Sequence, residues 1–282
     1  MADLINKRVI SAAITGSWPT KADNPNLSVT PEEIAEDVYE SWKAGAAIAH
    51  IHVRNEDQTP SSDFEKYKKT IELIRAKKDC DICLNITSSG SVDFTDEERI
   101  YPLQQLLPEL ASYDAGTMNW QHKSVFFNTP AFLEKLGAAL QESNIKPEIE
   151  IFDGGMIYNA LHYIKTGVLL EPCHFQIVLG APGGMTNTIE NLVFLRNLLP
   201  ENCTWSACGI GRGHMPIMLA TIAMGGHLRV GMEDNVMYQK GVLAKSNAQF
   251  VARAKRVLEE AGYEAATPEE ARQIYGLTKK VK

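Results

Sequence analysis

The chain has 282 residues, 44% of them hydrophobic and 22% charged, which is enough to fill a large core and too apolar for a disordered chain. Thirty-five Asp and Glu against 28 Lys and Arg leave a formal charge of −7. That argues against nucleic acid as a partner, because such binding needs a basic face, yet it leaves room for a small anion held by local cations.

Short apolar runs alternate with amphipathic stretches almost from end to end. Strands are predicted over 8–14, 47–53, 82–87, 110–115, 148–153, 174–179, 203–208 and 227–231. Helix starts between them are marked by Thr30 with Glu33, Thr95 with Glu98 and Thr267 with Glu270, each a capping hydroxyl with an acid three residues on. After Asp63, the spacing of Phe64, Tyr67, Ile71 and Ile74 predicts one apolar helix face. Eight strand–helix units without a linker imply a single (β/α)8 barrel domain over 1–282, with a doubly wound sheet as the competing architecture. In such a barrel the function sits where strands end and βα loops begin. No run approaches the ~20 apolar residues of a membrane span. The first residues, MADLINKRVISAA, show no secretory pattern, so a cytoplasmic protein with no membrane partner is expected. The five cysteines are then reduced thiols, and the lone CxxC of Cys80 and Cys83 reads as the start of a buried strand.

The sharpest chemical feature is His50-Ile51-His52 at the end of the second predicted strand. Strand side chains alternate, so both imidazoles project to one face, spaced to share a metal ion. A third ligand is expected from Glu233 or Asp234, which follow the eighth strand, one carboxylate on the metal and the other free as a base. Arg229, inside the apolar run just before them, needs an anionic partner. Glu148 and Glu150 share one face of the fifth strand. Of these, the residue at the strand start is expected to meet solvent and Glu150 to reach the site. Small polar groups close the third and fourth strands, among them Thr87, Gly90, Ser112 and Asp114. Glycine-rich loops follow the sixth strand (180–184) and the seventh (209–214). The second offers backbone N–H groups at a helix start together with Arg212 and His214, as a phosphate cradle does.

These residues lie within longer motifs: AAITG at 12–16, NPNLSVTPEEIAE at 24–36, AGAAIAHIHVR at 44–54, KPEIEIFDGGM at 146–156, HFQIVLGAPGGM at 174–185, GIGRGH at 209–214 and GGHLRVGMEDN at 225–235. Through them most of the chain resembles the β-keto acid cleavage enzymes. The resemblance implies a TIM barrel, a homotetramer and a zinc ion on His50, His52 and Glu233, though other divalent transition metals suit the same donors. It implies Asp234 as the base, oriented by a network that includes Arg229 and Glu150. Thr87 and Gly90 would line the keto-acid pocket, with Ser112 and Asp114 close by, and the 209–214 loop, through Gly211 and Arg212, would hold CoA phosphates. The implied reaction is acyl exchange between a β-keto acid and acetyl-CoA, giving a new acyl-CoA and acetoacetate. In this reading Asp234 takes a methyl proton from acetyl-CoA. The alternative is a metal-dependent hydrolase or aldolase acting on a carbonyl without CoA. One departure stands out: a substrate-contacting Glu is common in the family where this chain has Trp18. Trp18 either closes the barrel mouth by packing, or shapes the pocket for an acid with an uncharged or bulkier side chain, or stacks on a cationic one.

Overall fold

The computed structural model describes residues 4–280. Among these, eight parallel strands close into one barrel in chain order: β1 (Ile10–Ala13), β2 (Ile48–Ile51), β3 (Cys83–Ile86), β4 (Leu110–Asp114), β5 (Lys146–Ile151), β6 (His174–Leu179), β7 (Thr204–Gly209) and β8 (His227–Val230). The helices that follow them are α1 (Pro31–Ala44), α2 (Phe64–Arg75), α3 (Asp96–Leu106), α4 (Pro130–Glu142), α5 (Gly154–Lys165), α6 (Ile189–Leu198), α7 (His214–Ala223) and α8 (Asn247–Glu260). A further helix, α9 (Pro268–Tyr275), plugs the bottom: its Ala271 and Tyr275 pack with Val9, Ile48, Cys83 and Leu110.

All eight predicted strands exist, and most are shorter than expected. β1 starts at Ile10 and not at residue 8, because Lys7 and Arg8 pair outside the barrel with Glu264 and Ala265, while the Val9 amide donates to His227 Nδ1 at 3.0 Å. The three capping boxes at Thr30, Thr95 and Thr267 all form, and each stabilises its helix by about 1 kcal/mol. Cys80 lies just before β3 and Cys83 opens it; both are buried free thiols. No helix among the described residues is long and apolar enough to cross a membrane.

Alternation along the strands sorts the side chains. Outward-facing Ala49, Ile51, Leu84, Ile86, Ile149, Ile151 and Ile177 join the helices in one apolar layer. The inner face is polar. Registers place Ser11 beside Arg229, His50 beside Asn85, Glu148 beside Ser112 and His174, and Glu150 beside Asp114 and Gln176. Barrel interiors usually hold Val, Ile and Leu, so these groups mark the functional end and the column beneath it.

β8 leaves the barrel at Gly231, whose φ is +154°. A Cβ there would collide with the Ala13 carbonyl, the acceptor of the Glu233 N–H at 3.3 Å. Gly231→Ala is expected to cost at least about 2 kcal/mol through strain and displacement of that turn. A thermal melt checks it by a lowered midpoint.

Candidate active site

His50 lies one residue before the end of β2 and His52 just after it, both buried on the inner face, with their Nε2 atoms 3.1 Å apart. The turn after β8 brings Glu233 over them, its Oε1 lying 3.6 Å from each Nε2. A tetrahedral cation with ~2.0–2.2 Å bonds spaces its donors by ~3.3–3.6 Å; the two edges to Glu233 match that spacing, and the imidazole pair has to open by only a few tenths of an ångström from 3.1 Å to share one ion. The charge states fit as well. Burial, with Arg229 and His52 adding to it, pushes the His50 pKa down to about 3, leaving the neutral imidazole a metal needs. Burial alone would raise the pKa of Glu233, but Arg229 and the two imidazoles hold it well below the usual carboxylate range. Glu233 Oε2 has no hydrogen-bond partner among the described residues, so an acceptor is left for a ligand.

Arg229 is the hub beneath this triangle. Its Nη2 donates to Glu233 Oε1 at 2.5 Å and to Asp234 Oδ1 at 3.0 Å, its Nε donates to Asp234 Oδ2 at 3.1 Å, and Nη1 stands 3.6 Å from Glu150 Oε2. The anionic partners expected for this Arg are therefore three. Asp234 is raised above its ordinary pKa by burial and by Glu233, against the pull of Arg229. A carboxylate with increased proton affinity, held rigidly at a cavity wall, is equipped to accept a proton from carbon.

A cavity of about 1370 Å³ opens above these groups. His50, His52, Glu233, Asp234, Arg229, Glu150, Asp114 and Gly90 form its floor and lower wall. Trp18 lies on the wall and is 60% exposed, so it does not pack the mouth shut. Gly211 and Arg212 reach the rim, where the Gly211 N–H is already taken by the Asp234 carbonyl at 3.1 Å. Thr87 and Ser112 are not on the wall. The Thr87 hydroxyl instead binds the Ser89 hydroxyl and N–H, both at 2.9 Å, which shapes the loop after β3. Ser112 lies one layer deeper, level with Glu148.

The expectation that the first Glu of β5 meets solvent is overturned. Glu148 is 1% exposed, because β5 already pairs with β4 from Lys146 onward and carries Glu148 into the barrel axis. Two further features escaped the sequence reading. Trp120, from the hairpin of Met118–Trp120 and Ser124–Phe126, stands edge-on to Phe126 and to Phe152 along the wall. Lys123, Lys240 and Arg253 add positive charge around the cavity. Trp120, Lys123 and Phe126 lie in the loop after β4, Phe152 after β5, Lys240 after β8 and Arg253 on α8.

A profile of the beta-keto acid cleavage enzymes matches residues 7–277. The chain belongs to that family. This beta-keto acid cleavage enzyme is 45% identical over 277 residues to the 3-keto-5-aminohexanoate cleavage enzyme of Fusobacterium nucleatum, covering 98% of this chain and 100% of that one. It is 38% identical over 273 residues to the 3-oxoadipate:acetyl-CoA acetyltransferase of Cupriavidus necator, covering 95% and 94%. Among solved structures, apo ObcA superposes with a TM-score of 0.80 at 19% identity over 90% of this chain and 66% of that longer one, a likeness of fold.

Proposed function

We propose that this beta-keto acid cleavage enzyme exchanges acyl groups between a β-keto acid and acetyl-CoA, releasing a new acyl-CoA and acetoacetate, with zinc held by His50, His52 and Glu233. The observation that carries the reading is the split of two adjacent carboxylates: Glu233 joins the imidazoles, while Asp234, clamped by the same Arg229, lies along the cavity wall. Bound there, zinc supplies Lewis-acid polarisation of the keto carbonyl.

The atoms of the products decide which proton Asp234 takes. Acetoacetate is an acetyl group joined to CH2–COO⁻, so the new bond links the acetyl carbonyl carbon to C2 of the keto acid. The methyl-proton reading cannot make that bond and is replaced. Asp234 removes a C2 proton, and C2 attacks the thioester carbonyl. The CoA sulfur then passes to C3, the C2–C3 bond breaks, and Asp234 returns its proton to C2. Arg229 holds Asp234 and Glu233 in place throughout, and Glu150 completes its charge balance. Gly90, Asp114 and Trp18 face the variable part of the acid, with Thr87 and Ser112 supporting them from behind. Gly211 and Arg212, with the neighbouring cations, receive CoA phosphates. A homotetramer, implied by the family resemblance, and a cytoplasmic setting complete the reading; exposed Tyr158, Val193 and Phe194 on α5 and α6 supply apolar surface for an assembly to cover.

A panel of β-keto acids with trideuteromethyl acetyl-CoA tests this. Acetoacetate is expected only when the thioester is present, with all three deuterons retained, and chelation is expected to abolish turnover until zinc is returned. Turnover without a CoA ester would instead establish the hydrolase or aldolase reading, and loss of one deuteron would overturn C2 as the carbon that gives up the proton.

A further inference from the structure

Two donor sets meet at His50. Its Nε2 belongs to the triangle with His52 and Glu233, which opens to the cavity. Its Nδ1 faces the barrel interior, where Glu148 Oε2 lies 3.9 Å away, and His50, Glu148 and Glu150 each place one donor atom within 4.8 Å of the others. The interior set has the composition of a second metal site, but Glu148 is sealed from the cavity and Arg229 already faces Glu150. Its position points to a supporting task.

A neutral imidazole coordinates through Nε2 only when its proton is on Nδ1, and that buried N–H then needs an acceptor. His50 Nδ1 has no hydrogen-bond partner among the described residues, and Glu148 Oε1 has none either. Asn85, level with His50 on β3, donates to Glu148 Oε2 at 2.5 Å and fixes the carboxylate beneath the ring. A buried acid here is costly: burial and the neighbouring Glu150 push its pKa to about 8. An apolar residue of similar volume would be cheaper. At 3.9 Å the Nδ1–Oε2 pair stands beyond hydrogen-bond length, so the ring and the carboxylate have to close by somewhat under an ångström; once they do, an oxygen of Glu148 can accept from His50 in either protonation state.

We propose that Glu148, held by Asn85, is the positioning residue of the metal centre, accepting the His50 Nδ1–H and so keeping Nε2 aimed at His52 and Glu233. This rests on the metal reading above. The test is zinc affinity by competition with a chelator, together with the absorption spectrum of the cobalt-substituted protein, for the parent, Glu148→Met and Glu148→Gln. Met keeps the volume and removes the acceptor, whereas Gln keeps an acceptor oxygen. The parent is expected to bind one equivalent. Glu148→Met should bind about 10–100-fold more weakly with an altered cobalt spectrum, and Glu148→Gln should recover most of the affinity. The metal-free melting temperature of the Gln variant should not fall. Parent-like affinity and spectra in both variants would overturn the proposal while leaving the metal centre intact, as would a second equivalent lost with Glu148. A parent that binds no metal would overturn the metal reading itself.

Discussion

Asp234→Asn is expected to lose turnover by roughly 10²–10⁴-fold, the usual range for removing a general base, while keeping the parent's affinity for the proposed zinc ion. The substitution is nearly isosteric and leaves the Arg229–Glu233 contact at 2.5 Å untouched, so the donor triangle should survive. The amide has no basic oxygen to take a proton from C2. Its NH2 must also face one of the two Arg229 donors that now meet the carboxylate at 3.0 and 3.1 Å, which adds a modest stability cost. Steady-state rates, metal content and exchange of the C2 hydrogens into deuterated water separate these effects. The variant should be metal-replete and slow in exchange as well as in turnover. Rates close to the parent's would remove Asp234 from the proton transfer.

Arg229→Met is expected to destabilise the metal-free protein by about 3–5 kcal/mol, the cost of stranding buried charge. Burial would depress the guanidinium pKa, yet Asp234, Glu233 and Glu150 hold it well above its ordinary value. Removing it leaves three carboxylates in one buried corner without their shared cation. Arg229→Lys should recover only part of the loss, because a single ammonium cannot span the directions that the planar fork covers. Denaturant unfolding monitored on all three proteins measures the order. A Met variant as stable as the parent would mean that the acids are protonated or hydrated without Arg229.

Much of this centre was legible in the sequence because strand period two is a strong rule. His50 and His52 share a face by that rule, and Glu150 reaches Arg229 across the barrel as its place near the end of β5 implied. Glu148 was misread because alternation gives the face and not the depth. Only the pairing of Lys146 with Leu110 reveals that two more residues precede it inside the sheet. Trp120, Phe126 and Phe152 were missed because a short hairpin carries no periodic signal, and the wall exists only when that hairpin meets the loop after β5. Thr87 follows a strand much as His52 does, but its hydroxyl turns to its own loop, a local competition that spacing cannot show.

The ring is joined where its last strand meets its first: β8 pairs with β1, β1 pairs with β2, and the Glu233 amide rests on Ala13. A nascent polypeptide still lacking residue 233 therefore offers an ion at the cavity floor a histidine pair without the carboxylate that completes the triangle. Tight capture has to await the stitching of the two ends of the sheet, so the timing of ion uptake during synthesis would serve as a clock for closure of the fold.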